Sequence, residues 1–235
     1  NNEYDLIMIV IASRSSIYDE FMTTYWSPFI NYIKKKEYRI KVILIFGNNI
    51  PIKDLKIPKE NIFVSDNKDS LRPGILLKTI DAMEHVSKNY KYKHILRTNL
   101  SSFFILDNLI KTSKTLKDKN IYAGVIGEYP HKKSTMKFIS GAAFWLSKDN
   151  VSFILNNKKN LENLPDDVAI AKLLTGKFKT QLGRYDLCNN ENPENKKDLL
   201  ENIINDNEYH IRIKNNNRQI DIELMKFFTN SLYKI

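Results

Sequence analysis

Two apolar runs near the start of the chain limit what it can fold into. Asp5–Ala12 reads DLIMIVIA, in which every residue from Leu6 to Ala12 is apolar. The run is far shorter than the ~18–20 residues of a membrane helix. It also lacks the alternation of a strand with one wet face, so it predicts a central strand covered on both sides. Arg39–Phe46 (RIKVILIF) repeats the pattern and is stopped by Gly47-Asn48-Asn49. Between them Ile17–Lys36 reads as largely helical, interrupted near Trp26-Ser27-Pro28. Strand-like and helix-like segments go on alternating to about residue 175, which argues for an α/β layer architecture.

The later segments follow the same logic. Asn61–Val64 is a short strand leading into the polar loop Ser65–Ser70, and Pro73 opens a helix with Leu76, Ile80 and Met83 on one face. Tyr92–Thr98, Tyr122–Gly127 and Phe138–Leu146 read as strands, and Asp107–Leu116 as a helix. Ser147 is placed as the N-cap of a helix through Asn156. Pro165 takes a first helical position before Asp166 and Asp167, with Gly176 as the stop. Cys188–Asp198 reads as a polar loop. Tyr209–Lys214 is a strand and Asp221–Phe228 a helix.

The 235 residues suit one domain. The single cysteine, Cys188, excludes an internal disulfide and a multi-cysteine zinc site. No signal-peptide pattern is visible. The sequence opens on Asn1 rather than Met, which leaves room for an anchor or further domain outside it. A net charge of +10 attracts polyanions, diphosphates or acidic lipid. Lys far outnumbers Arg, however, and base-edge and phosphate forks favour Arg. The 27 asparagines, with abundant Lys and Ile, are what an AT-rich genome encodes. That composition suits a bacterium or a large DNA virus and a cytoplasmic location.

Several chemistries lack their motif. There is no GxGxxG or Walker sequence, no GxSxG elbow, no HExxH and no paired histidine spacing. What remains are polar turns at strand carboxyl ends, where open α/β sheets bind ligands. Ser13-Arg14-Ser15 follows the first strand, Asp66 to Asp69 the third, and Arg97 to Ser102 the fourth. Asp166-Asp167 opens a late helix. Each is also ordinary turn or cap chemistry.

Four segments in order resemble the β-1,3-galactosyltransferase/Fringe-type glycosyltransferases. Tyr92–Ile110 (YKHILRTNLSSFFILDNLI) is similar to that family's "YVLKTDDDVFVNVDNLI", and Phe138–Ile154 (FISGAAFWLSKDNVSFI) to its "YCSGGGYVLSRDLV". Asp166-Asp167-Val168 is similar to its "EDV". Asp69–Val86 resembles "DSYYNLTLKTLMGLKWV". The resemblance implies a GT-A fold with a mostly parallel mixed sheet flanked by helices. It implies a nucleotide-sugar donor half over about residues 1–105 and an acceptor half with a C-terminal tail over 106–235. It further implies an inverting transfer from a nucleotide sugar, by analogy a UDP-sugar, to a glycan or glycoconjugate hydroxyl. Asp167 is then the base. Ser140, Gly141 and Asp166 fall on the acceptor side. Ser13, Arg14, Ser15, Asp66, Asp69, Arg72, Lys78, Arg97, Asn99 and Ser101 fall on the donor side.

The departure from the family lies at its metal motif. The outer carboxylates fall on Asn99 and Ser101, which offer only neutral oxygens to Mn²⁺ or Mg²⁺. Weak or absent metal dependence is therefore expected. Cations would have to stabilise the leaving diphosphate, with Lys78 and Arg97 first and His210, Arg212, Lys214 and Arg218 second. His210, Arg212 and Lys214 share one strand face by their period of two. Two alternatives stand beside transfer: a degenerate sugar- or nucleotide-binding member of the fold, and a basic nucleic-acid module. Dispersed, Lys-dominated charge disfavours the second. No nucleic-acid partner and no membrane span are expected.

Overall fold

The computed structural model describes residues 3–131, 134–189 and 192–233. Strand β1 (Tyr4–Ile11) shows why its sequence is apolar throughout. Leu6, Met8 and Val10 enter one core, while Ile7, Ile9 and Ile11 enter a second core on the other face. Strand β2 (Ile40–Phe46) divides the same way, with Val42, Leu44 and Phe46 in the first core and Ile43 and Ile45 in the second. Each such side chain contributes roughly 1.5–3 kcal/mol by leaving water.

The first core is closed by helix α1 (Ser16–Phe21), the π-helical turn Met22–Trp26 and α2 (Ser27–Lys35). The interruption expected near Pro28 is therefore a bulge within a continuous helical segment. Pro28 lacks an N–H, and the π turn absorbs the mismatch, with Ser27 N–H reaching back to Met22 O. The second core is closed by α3 (Gly74–Asn89), α5 (Lys148–Asn156) and α6 (Asp166–Leu173) through Leu76, Ile80, Met83, Val151, Ile154 and Ile170.

The main sheet also contains β3 (Ile62–Val64), β4 (Tyr92–Asn99), β6 (Tyr122–His131), β7 (Ser134–Ser147) and β8 (Thr180–Gln181), in the order β3-β2-β1-β4-β7-β6-β8. Strands β3, β2, β1 and β4 run parallel, and β7 is antiparallel to both β4 and β6. A second sheet, in the order β5-β10-β9, joins β5 (Ser102–Phe104), β10 (His210–Ile213) and β9 (Tyr185–Leu187). Only Leu100 and Ser101 separate β4 from β5, so the two sheets meet at one turn. Helices α4 (Leu106–Thr115), α7 (Lys196–Asn205) and α8 (Arg218–Leu232) complete the described chain.

Several local expectations are corrected. Ser147 is the N-cap residue of α5, as expected, but its buried hydroxyl makes no capping bond and accepts from Ile121 N–H. Pro73 and Pro165 each stand one residue outside their helix, with non-helical backbone. The expected loop Cys188–Asp198 ends in a helix start: α7 begins at Lys196, where the Asn195 side chain accepts from Asp198 N–H. Residues 190–191 of that loop lie outside the described residues.

Candidate functional site

The carboxyl ends of β1 and β4, the start of α3 and the end of β10 enclose a cleft of about 380 Å³. Ser13, Asp69, Lys78, Arg97, Asn99, Ser101, Arg212 and Lys214 line it, with Tyr18, Leu71 and Ile75. A larger cavity of about 530 Å³ lies at the opposite ends of the strands, around Asp5, Arg39, Lys93 and His94. It holds none of the sequence-derived site residues, and its Asp5 is paired with Arg39 and Lys93.

At one corner of the cleft, Lys78 is 1% exposed, so its ammonium needs protein partners. It donates to Ala12 O at 2.9 Å and to Asp69, whose other oxygen accepts from Ser13 Oγ. The Asp69 loop is pressed onto the end of β2. A Cβ on Gly47 would lie 2.3 Å from Asp69 N, so only glycine allows this approach. Asp69 N–H donates to Asn49 Oδ1 at 2.6 Å.

Beside this corner Arg97, 4% exposed, pairs with Asp166 at 2.5 Å, donates to Gly141 O and lies over the Phe144 ring. Thr79 Oγ1 also donates to Asp166. Asp167 is different. It has no cation within salt-bridge reach among the described residues, and it accepts from Gly141 N–H at 2.8 Å and Val168 N–H at 2.9 Å. Burial raises its pKa, reinforced by the Asp166 charge and opposed by the Gly141 N–H and Arg97. Gly141 is wedged between the two groups: a Cβ there would sit 3.0 Å from Asp167 Oδ2 and 3.1 Å from Arg97 Nη1.

The turn between the sheets carries Asn99 and Ser101. Asn99 Oδ1 accepts from Ser101 N–H at 3.0 Å. Ser101 Oγ accepts from Arg218 Nη2 at 2.8 Å, and Arg218 is held by the buried Asp221 at 2.5 Å and lies over the Phe21 ring. These residues do not compose a divalent-cation site. The Ser101 oxygen already faces a guanidinium, and the Asp69 carboxylate lining the cleft is taken by Lys78 and Ser13. Among the described residues no three His, Cys, Asp or Glu side chains group to hold a metal ion.

The tail strand divides its basic residues. Arg212 and Lys214 line the cleft, but His210 does not. It is 1% exposed, stacked on Phe104, and bonded through Nε2 to Ser102 Oγ at 2.9 Å. The Ser102 hydroxyl donates to Ala142 O, so His210 Nε2 carries the hydrogen to Ser102. Burial, then the charges of Arg184 and Arg212, holds the imidazole pKa well below its usual value. A neutral histidine facing the core is thus not a cleft cation, despite the shared strand face.

Other sequence-derived residues also lie off the cleft, Gly141, Asp166 and Asp167 among them, the first two joined to it through Arg97. Arg14 is bound to Asp19, Asp54 and Pro51 O. Ser15 caps α1 by accepting from Tyr18 N–H. Asp66 and Arg72 are exposed and do not line it. Ser140 Oγ accepts from Arg184 at 3.1 Å, and Arg184 also pairs with Asp186. Sequence reasoning missed Arg184 and Tyr18. The scarcity of Arg in a Lys-rich chain was a usable signal, because Arg97, Arg184 and Arg218 all hold buried or half-buried forks here.

No protein-family model and no curated protein matches the sequence. Solved structures do match. The galactosyltransferase LgtC, in complex with donor and acceptor sugar analogues, is similar at a TM-score of 0.51 and 9% identity, over 97% of each chain. A glycosyltransferase involved in glycosylation of the major capsid of PBCV-1 matches at a TM-score of 0.48 and 8% identity, over 94% of this chain and 98% of that one. The apo-form glycosyltransferase GlyE of Streptococcus pneumoniae TIGR4 matches at 0.47 and 9% identity, over 99% of this chain and 65% of that one. At such identities the likeness is one of fold, and LgtC carries it: the chain has a GT-A-like glycosyltransferase fold. Among the described residues no helix is long and apolar enough to cross a membrane.

Proposed function

We propose that this protein is an inverting glycosyltransferase that moves a sugar from a nucleotide-sugar donor, a UDP-sugar, to a hydroxyl of a glycan or glycoconjugate. The donor lies in the cleft at the carboxyl ends of β1 and β4, against the half formed by about residues 1–105. The remaining chain supplies the acceptor side and, through β10, one wall of the donor site.

The observation that carries this reading is Asp167. It is a half-buried carboxylate without a cation partner among the described residues, hydrogen-bonded to Gly141, whose carbonyl accepts from the cleft residue Arg97. Burial makes it a better proton acceptor than a surface aspartate. In the reaction Asp167 takes the proton of the acceptor hydroxyl. The oxygen attacks the anomeric carbon from the face opposite the diphosphate. The bond to the diphosphate breaks, and the nucleoside diphosphate leaves with the electron pair. Asp166 is fixed by Arg97 and Thr79 and positions its neighbours.

The second reading, a sugar- or nucleotide-binding protein without turnover, is favoured by Asn99 and Ser101 in place of carboxylates. Donor hydrolysis with a panel of nucleotide sugars separates the two, with the anomeric configuration of the released sugar read by NMR. Hydrolysis with inversion, lost in Asp167→Asn, is expected. UDP raising Tm with no sugar released would favour the binder, and stabilisation by oligonucleotides alone would favour a nucleic-acid module.

A further inference from the structure

We propose that the cleft binds a diphosphate without a divalent cation, through Arg212 of β10 and Lys214 just past its end, with Arg218 closing Ser101 to metal. This rests on the donor reading above and adds what holds the donor's charge.

The charges of the cleft are largely spoken for. Of its four cations, Lys78 is neutralised by Asp69 and Arg97 by Asp166. Arg212 and Lys214 remain. Among the described residues neither has a carboxylate within salt-bridge reach. Asp186, the register neighbour of Arg212 on β9, is held by Arg184 instead. Lys214, one residue past β10, continues its pairing through its N–H to Leu187 O at 3.0 Å, so it and Arg212, two residues apart, project to the same side. Two unpaired positive charges at the mouth of a cleft otherwise balanced in charge are a site for an anion of about the same charge. An arginine fork and a lysine suit a diphosphate.

The same geometry excludes a metal at this turn. A divalent ion bound about 2.1 Å from the Ser101 oxygen would stand within about 5 Å of the Arg218 guanidinium, which donates to that oxygen at 2.8 Å. Both oxygens of Asp69 are occupied, one by an ammonium. Asn99 already accepts from the turn's own backbone. Among the described residues lining the cleft, no protein carboxylate is left to offset the repulsion.

The test is titration calorimetry with UDP and, separately, inorganic pyrophosphate, each in EDTA and in Mg²⁺, on the wild type and on Arg212→Ala, Lys214→Ala and the double variant. Arg212 is half-buried and Lys214 exposed, so folding is checked by Tm. The expected result is affinity in EDTA at least as high as in Mg²⁺, which itself complexes the diphosphate. Each single variant should bind about tenfold more weakly, the effect of losing one charge-assisted contact, with Tm held. Affinity that appears only with Mg²⁺ would overturn the proposal and leave the donor reading intact. So would wild-type affinity for UDP in the double variant. Pyrophosphate binding that depends on both cations, with no response to UDP, would keep the cation site and remove the nucleotide reading. If neither compound bound under any condition, both would fall.

Discussion

Asp166 and Asp167 are adjacent in sequence yet have opposite environments. Asp166 is an ion-pair partner, and removing it would leave Arg97 charged, buried and unpaired, at a cost of ~3–5 kcal/mol. Asp167 bears its charge with hydrogen bonds alone, and its pKa is raised by burial. A raised folded-state pKa gives stability that is complete below the unfolded value, ~3.9, and is lost as pH rises through the folded value. The wild type loses it as pH rises, whereas an amide has no such titration. Because Asp167 is the proposed base, Asp167→Asn should lower donor hydrolysis by at least ~10²-fold. The Tm of the variant minus that of the wild type should be more positive at pH 7 than at pH 4, measured by calorimetry. Gly141→Ala tests the wedge between Arg97 and Asp167. Both neighbours are tied by hydrogen bonds, so the new methyl must shift them by tenths of an ångström. A loss of ~1–3 kcal/mol in stability and about tenfold in hydrolysis is expected, from denaturant melts and initial rates.

Among the elements, β10 and α8 hold the site's far wall in place. Tyr233, just past α8, accepts from Leu106 N–H at 3.0 Å and donates to Phe104 O at 2.5 Å. Its hydroxyl thus serves both a helix start and a strand of the second sheet. Tyr233→Phe should cost ~1–3 kcal/mol, because a buried N–H loses its partner. Hydrolysis measured well below Tm should stay unchanged; an equal loss in both would mean that the wall moves with the tyrosine. Which elements were legible from sequence follows from how each is stabilised. β1 and β2 declare themselves because both faces are buried, and α3 because Leu76, Ile80 and Met83 keep a helical period. β5, β8 and β9 are two or three residues long and exist through pairing with distant segments, so no local pattern marks them. α7 hid in an Asn- and Lys-rich stretch whose buried residues are Leu200 and Ile203. The turns at strand ends were legible as a group, and Ser13, Asp69, Lys78, Arg97, Asn99 and Ser101 do meet at one cleft. The ranking of cations within it was not legible. Lys78 and Arg97 look available until their carboxylate partners, Asp69 and Asp166, are placed in space.

At the scale of the molecule, a net charge of +10 has two opposite consequences. It attracts anionic ligands and strains the folded state by self-repulsion. Added salt screens both. Raising NaCl from about 50 mM to about 500 mM should weaken UDP binding by roughly tenfold while raising the Tm of the free protein. Calorimetry and a salt series of melts check this, and a Tm that fell with salt would show that ion pairs outweigh the repulsion. The molecule also has a long-range closure. The rings of Tyr25 and Phe29, in the first helical segment, lie 6.3 and 5.2 Å from that of Tyr233, and Arg218 covers Phe21. On a ribosome adding ~5–20 residues per second, roughly ten to forty seconds pass between the first of these groups and the last. Throughout that interval the nascent chain carries an uncovered aromatic face. A chain cut short before Arg218 would keep that aromatic face bare, and it should aggregate rather than fold to a smaller version of this molecule.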